Sequence, residues 1–127
     1  MLNNKATRLI FCLLFVFISG CSSNNYDLKL STPKSFSPGQ TTPIPLKILD
    51  QNGKAVEGAK VAAILDMNGM SHGDLSVAMQ ETENGVYVGK VKFEMEGDYT
   101  AIIQIDKNGK KTKTEKRFSI VYNNDAQ

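Results

Sequence analysis

Val86-Tyr87-Val88-Gly89-Lys90-Val91-Lys92-Phe93-Glu94-Met95-Glu96-Gly97-Asp98-Tyr99-Thr100-Ala101-Ile102-Ile103-Gln104-Ile105 is the stretch whose reading decides the fold. Apolar residues recur in it at every second position, the period of a strand with one face on a core. Val86 and Val88 lie in one phase, whereas Val91, Phe93 and Met95 lie in the other. A bulge at Gly89-Lys90 would reconcile the two phases. Glu96-Gly97-Asp98 then reads as a turn into Tyr99, Ala101, Ile103 and Ile105, again alternating.

The same period holds on both sides. Upstream, Leu28 and Leu30 share a face, as do Ile44, Leu46 and Ile48, then Val61, Ala63 and Leu65, then Leu75, Val77 and Met79. Downstream, Phe118, Ile120 and Tyr122 close the series. Asn52-Gly53, Asn84-Gly85 and Asn108-Gly109 punctuate it, and Asn-Gly accepts the positive φ that tight hairpins require. Pro43 and Pro45 mark a strand start or edge, where a missing N–H is tolerated. No segment has helical periodicity. About seven short strands with regular turn signals predict an all-β, immunoglobulin-like antiparallel β-sandwich over residues 26–127. An open five-stranded barrel is the competing architecture.

The N-terminus reads as an address. Lys5 and Arg8 precede the unbroken apolar run Leu9 to Ile18, and no acidic residue occurs before Asp27. A run of roughly ten residues is half of the about twenty that a membrane-spanning helix needs, so residues 1–20 are predicted to be a cleaved lipoprotein signal peptide. Ile18-Ser19-Gly20-Cys21 resembles the bacterial lipobox, which predicts a lipid on the Cys21 thiol. Several acyl chains, at about 0.8 kcal/mol per buried methylene, would hold the chain firmly on the extracytoplasmic side of a cell membrane. Residues 21–25 then form the lipidated Cys and a polar tether.

Cleavage would leave 107 of the 127 residues, enough for one domain with a single core. Lys5 and Arg8 leave with the leader, which lowers Lys+Arg from 15 to 13 against 13 Asp+Glu. A balanced chain without a basic stripe is not expected to bind nucleic acid. The local excess at Lys107, Lys110, Lys111, Lys113, Lys116 and Arg117 reads as a solvated hairpin face or as contact with an anionic surface. With Cys12 in the leader and Cys21 lipidated, the domain has no thiol for a disulfide, a metal or nucleophilic chemistry.

One segment holds candidate chemistry. Met67-Asn68-Gly69-Met70-Ser71-His72-Gly73-Asp74 carries the chain's single His and two of its five Met residues. Thioether and imidazole suit a soft ion, Cu(I) above all; the alternative is a loop whose Met residues cap the end of the core. Strand parity adds a fourth donor. Two strands separate this loop from the turn at Glu96 to Asp98, so the two share an end of the sandwich. Met95, in phase with Phe93, is expected to point inward there, giving Met67, Met70, His72 and Met95 as the candidate metal site. Met79, at the other end of its strand, is expected to be core. Ser71 beside His72 is not placed as nucleophile to base, and no other enzyme constellation occurs.

These residues resemble the YtkA-like domain family, with which FixH-related proteins are also compared. The similarity runs from about Ser37 to Val121 and rests on Met67 to Gly73 and on Asn84 to Tyr99. It implies a small extracytoplasmic sandwich whose Met/His loop corresponds to Met67, Met70 and His72, and whose following Met corresponds to Met95. The aromatic after the Gly-Asp pair, often Trp in the family, is Tyr99, and a Pro common in the loop is missing. The resemblance implies a copper link, because FixH-related proteins are tied to assembly of a copper-containing terminal oxidase. The expected function is therefore metal handling or delivery to a membrane metalloprotein, without catalysis. The competing class is a metal-free envelope module for protein interaction.

Parity also predicts orientation. Four tether residues reach at most about 14 Å, so the strand that starts at Tyr26 begins near the bilayer. The three Asn-Gly turns then fall on the membrane-proximal end, with Lys107, Lys110 and Lys111 near the headgroups. The loop from Met67 to Asp74 falls on the far end.

Overall fold

The computed structural model describes residues 25–67 and 75–124. Eight strands form in chain order: β1 Asp27–Leu30, β2 Ser35–Phe36, β3 Thr41–Leu49, β4 Lys60–Met67, β5 Leu75–Glu83, β6 Val86–Lys92, β7 Gly97–Lys107 and β8 Lys110–Tyr122. They hydrogen-bond in the order β1-β3-β6-β5-β4-β7-β8-β2. Every pairing is antiparallel except that of β2 with β8, which is parallel. β5 links the two halves: Leu75 to Met79 pair with β4, whereas Gln80 to Glu83 pair with β6. The sheet therefore curls over itself, sandwich-like, around one core.

The alternating residues supply that core. Leu46 and Ile48 from β3 and Ala101, Ile103 and Ile105 from β7 are almost wholly buried, as are Val61, Ala63 and Leu65 from β4. Met79 is buried core, as expected. Pro43 and Pro45 lie where β1 does not reach, because β1 pairs only with Leu46 to Leu49. The Ser31 amide donates to the Pro45 carbonyl, so the Pro45 ring nitrogen faces that same side, where no ladder bond is lost.

Three expectations are corrected. The described residues hold eight strands, because Phe36 in the supposed loop pairs with Tyr122 and is buried at 3% exposure. The bulge is not at Gly89-Lys90. β6 pairs with β3 in unbroken register from Val86 to Lys92, and the irregularity falls between Glu81 and Glu83 on β5. Consequently the inward phase of β6 is Tyr87, Gly89 and Val91, and Val86 and Val88 are only half-buried. A buried Tyr looks polar in an alternation count, but here its hydroxyl is satisfied. Tyr87 Oη donates to the Val56 carbonyl at 2.7 Å and accepts from the Ala59 amide at 3.1 Å.

Strand directions alternate as parity requires, apart from the short parallel β2. The Asn52-Gly53, Asn84-Gly85 and Asn108-Gly109 turns therefore share one end, together with the start of β1. At Asn108-Gly109 both residues have positive φ, 53° and 78°, the geometry of a type I′ hairpin. At the same end Glu81 accepts from the amides of Gly58 (2.9 Å) and Gly85 (3.2 Å). These backbone donors hold its carboxyl below the usual range.

Candidate functional site

The opposite end is built from the last residue of β4, the segment between β6 and β7, and the end of β8. Met67 pairs with Tyr99 across β4 and β7 and is buried at 8% exposure. Its methyl lies against Gly97, where an added Cβ would come within 3.0 Å of it. Gly97 also has φ +147°, a backbone conformation that a residue with a Cβ rarely adopts. Both features fix glycine there and keep the Met67 thioether at the rim.

Beneath that rim lies an aromatic group. Phe93 is fully buried and meets Phe36, Tyr99 and Phe118, with ring centroids 5.6, 5.5 and 6.2 Å away. Tyr99 stacks on Phe118 at 5.5 Å, and Phe36 meets Tyr122 at 4.8 Å. Such pairs add roughly 0.5–1.5 kcal/mol each beyond the area they bury. They join both halves of the curled sheet.

The segment from Phe93 to Glu96 is braced by its backbone. Tyr99 Oη donates to the Met95 carbonyl at 2.7 Å, and Tyr122 Oη to the Glu94 carbonyl at 2.9 Å. The Tyr122 amide donates to Glu96 Oε2 at 3.1 Å. Burial, with Tyr122 and Glu94 nearby, pushes the Tyr99 phenol above its ordinary value. It stays protonated and able to donate.

This bracing explains a further correction. Met95 does not point inward; it is 45% exposed. β6 ends at Lys92, so alternation stops after Phe93. The tyrosine hydrogen bonds then draw the carbonyls of Glu94 and Met95 towards the domain, which leaves the Met95 side chain at the surface. The role of Tyr122 was not visible in sequence, where it counted only as core in phase with Ile120; a terminal aromatic of amphipathic kind was the available signal.

Of the four candidate donors, Met67 and Met95 thus sit at one rim, Met67 against Gly97 and Met95 two residues before it in the chain. Met70 and His72 lie outside the described residues, as does Cys21 with the leader. The strands that flank the 68–74 segment end and begin at this same rim, since Leu65 pairs with Leu75 and Met67 with Tyr99. Among the described residues no group of three or more His, Cys, Asp or Glu side chains could hold a metal ion. The two candidate donors described at the rim are thioethers, which match soft rather than hard cations.

Residues 22–104 of the chain match the YtkA-like family. No curated protein is similar to the chain in sequence. Among solved structures, the filamin domain of Lin-41 resembles it with a TM-score of 0.51 and 20% identity, covering 76% of this chain and 92% of that one. The endo-β-1,4-mannanase from Thermotoga petrophila resembles it with a TM-score of 0.52 and 13% identity, over 83% of this chain but 22% of the mannanase. At such identities the likeness is one of fold alone.

Proposed function

The chain belongs to the YtkA-like family, and from that premise we propose that it is a membrane-anchored extracytoplasmic lipoprotein that binds Cu(I), or another soft ion, at the Met67–Met95 rim. Met67, Met70 and Met95 donate sulfur and His72 nitrogen. The role is metal handling or delivery to a membrane metalloprotein, such as an oxidase under assembly, and not catalysis.

The observation that carries this reading is that Met67, packed against Gly97, and Met95, two residues before that glycine, lie at the end where β4 stops and β5 starts. A buried thioether and an exposed one at the same end of the domain suit transfer. Met67 is held by packing, whereas Met95 is open to a partner without any disturbance of the core. The residues fit a soft ion because sulfur and imidazole are the ligands such ions prefer. Outside the cytoplasm, Met also avoids the oxidation to disulfide that Cys would undergo.

The test is competition for Cu(I) against a chromogenic chelator under anaerobic reducing conditions. One ion per chain is expected, with marked weakening by His72→Ala, Met70→Leu or Met67→Leu and none by the core control Met79→Leu. Met→Leu nearly conserves volume, so unfolding should change by less than about 1.5 kcal/mol. No competition by the wild type refutes the metal reading in favour of a metal-free interaction module. Anchoring is tested apart: a labelled fatty acid should enter the wild type and not Cys21→Ser, and equal label in both refutes it.

A further inference from the structure

We propose that the outer face of the β4–β7–β8 layer holds a second site, a cleft for a glycerophosphate-type phosphate ester clamped by Lys60, Lys111 and Lys113. The cleft has a volume of about 450 Å³ and takes three consecutive residues from each strand. The register aligns them in three rows: Lys60, Asp106 and Lys111; then Val61, Ile105 and Thr112; then Ala62, Gln104 and Lys113. In the middle row Val61 and Ile105 are buried, at 6% and 2% exposure, so their side chains serve the core. What the middle row offers outward is backbone, and the rows on either side supply walls. Those walls stand two residues apart, about 6.6 Å, which is wide enough for a phosphate group between them.

Charge decides the ligand class. Three lysines and one aspartate line the cleft, which leaves two positive charges there. Lys60 is on β4, between β5 and β7. The use of lysine to guard an open edge strand can account for Lys111 and Lys113 but not for Lys60. Lysine is a point-charge donor suited to phosphate oxygens, and Gln104 adds a neutral donor at the same wall. Asp106, between Lys60 and Lys111, gives an acceptor for a hydroxyl on the same ligand. Ala62 is the small residue that keeps the trough open. Thr112, in register with Val61 and Ile105, shares their inward face, so it too offers the cleft its backbone.

The cleft lies at the end of the domain where β1 starts, the end opposite Met67. The ligand chemistry has two sources, a free glycerol phosphate or the headgroup of phosphatidylglycerol. The site does not rest on the metal reading, since the two share no residue.

Backbone amide shifts of the full chain test it, read in two settings. In neutral dodecyl maltoside micelles the titrant is glycerol 1-phosphate. In phosphatidylcholine nanodiscs the comparison is with and without phosphatidylglycerol. The amides of Val61, Ile105 and Thr112 should shift saturably in at least one setting. Response in micelles alone assigns a soluble ester; response in the nanodiscs alone assigns the headgroup. Lys111→Gln and Lys113→Gln should each weaken the response about fivefold, the effect of one surface cation near an anionic partner. Lys47→Gln with Lys92→Gln, both exposed on β3 and β6, should leave it unchanged. Absence of shifts in both settings overturns the proposal. So does equal weakening by the Lys47 and Lys92 control, because diffuse charge would then explain the binding.

Discussion

Gly89 on β6 offers a direct test of how the two halves of the sheet pack. A Cβ placed on it would lie 2.4 Å from Val77 Cγ1 and 3.3 Å from Met79 Cγ. Ordinary carbon contacts are about 3.5–4.0 Å, so Gly89→Ala forces Val77 back by about 1 Å. Val77 cannot yield easily. It is buried, its branched Cβ leaves χ1 stiff, and its backbone is paired with Ala63. Overpacking of this kind costs about 1–3 kcal/mol. Alanine also stabilises by restricting the unfolded chain, by about 0.4–1 kcal/mol, so the net loss should be about 1–2 kcal/mol. Val77→Ala removes the clashing methyl, at about 0.8 kcal/mol per buried carbon plus a cavity penalty. In that background Gly89→Ala should be neutral or stabilising. Urea unfolding of the wild type, both single variants and the double variant, followed by far-UV circular dichroism, gives the coupling. A Gly89→Ala effect of equal size in both backgrounds would show that Gly89 and Val77 do not touch, and would refute the packing described.

Two further outcomes follow from buried aromatics. Phe93→Ala should cost about 3–5 kcal/mol in the same assay, because Phe93 is fully buried among three rings; a cost below about 1 kcal/mol would remove it from the core. Tyr87→Phe should cost about 1–3 kcal/mol, leaving the Ala59 amide and Val56 carbonyl unpaired. Burial, foremost, holds the Tyr87 phenol above its ordinary value of 10.0 in the folded chain. The unfolded chain therefore loses this proton first, so stability is intact below about pH 10 and declines as pH rises towards the folded value. Tyr87→Phe should flatten that decline, as measured by urea midpoints against pH, and an unchanged slope would contradict the burial.

The strands were legible in sequence wherever the core face carried aliphatic residues alone. β4 and β7 are the clearest cases, since Val61, Ala63 and Leu65 and then Ala101, Ile103 and Ile105 all face inward as alternation requires. The Asn-Gly turns were legible too, because positive φ is a local demand. Reading failed in β6, where the inward phase is Tyr87, Gly89 and Val91. A hydroxyl and a glycine disguise a core face, and only a three-dimensional neighbour such as Val77 reveals why Gly89 has no side chain. It failed again at β2, since a two-residue strand has no period to detect.

The candidate rim was half legible. Parity alone placed the loop that starts at Met67 and the turn from Glu96 to Asp98 at one end, and the pairing of β4 with β7 agrees. The direction of Met95 was not legible, because it depends on where β6 stops. That point is set by hydrogen bonds from Tyr99 and Tyr122 to carbonyls at positions 95 and 94. Such side-chain to backbone contacts leave no periodic trace.

The lysine cleft was illegible for another reason: its members come from three strands, and only register aligns them. Sequence offered Lys107, Lys110, Lys111, Lys113, Lys116 and Arg117 as a basic hairpin face, whereas register selects Lys111 and Lys113 from it and adds Lys60 from β4. The two proposed sites are far apart along β7. Tyr99 marks the Met67 row and Asp106 the Lys60 row, a separation of about 24 Å at about 3.4 Å per residue. Screening at physiological salt acts within about 8 Å, so charge at one end does not set affinity at the other. Coupling between them would need an element with two discrete arrangements. The continuous ladders of β4 with β7 and of β7 with β8 are a single arrangement fixed by a buried face. A one-residue slip would expose Ile103 and Ile105 to water. The curled sheet therefore acts as a rigid spacer, with thioethers at one end and ammonium groups at the other, and each site can be altered without consequence for its counterpart.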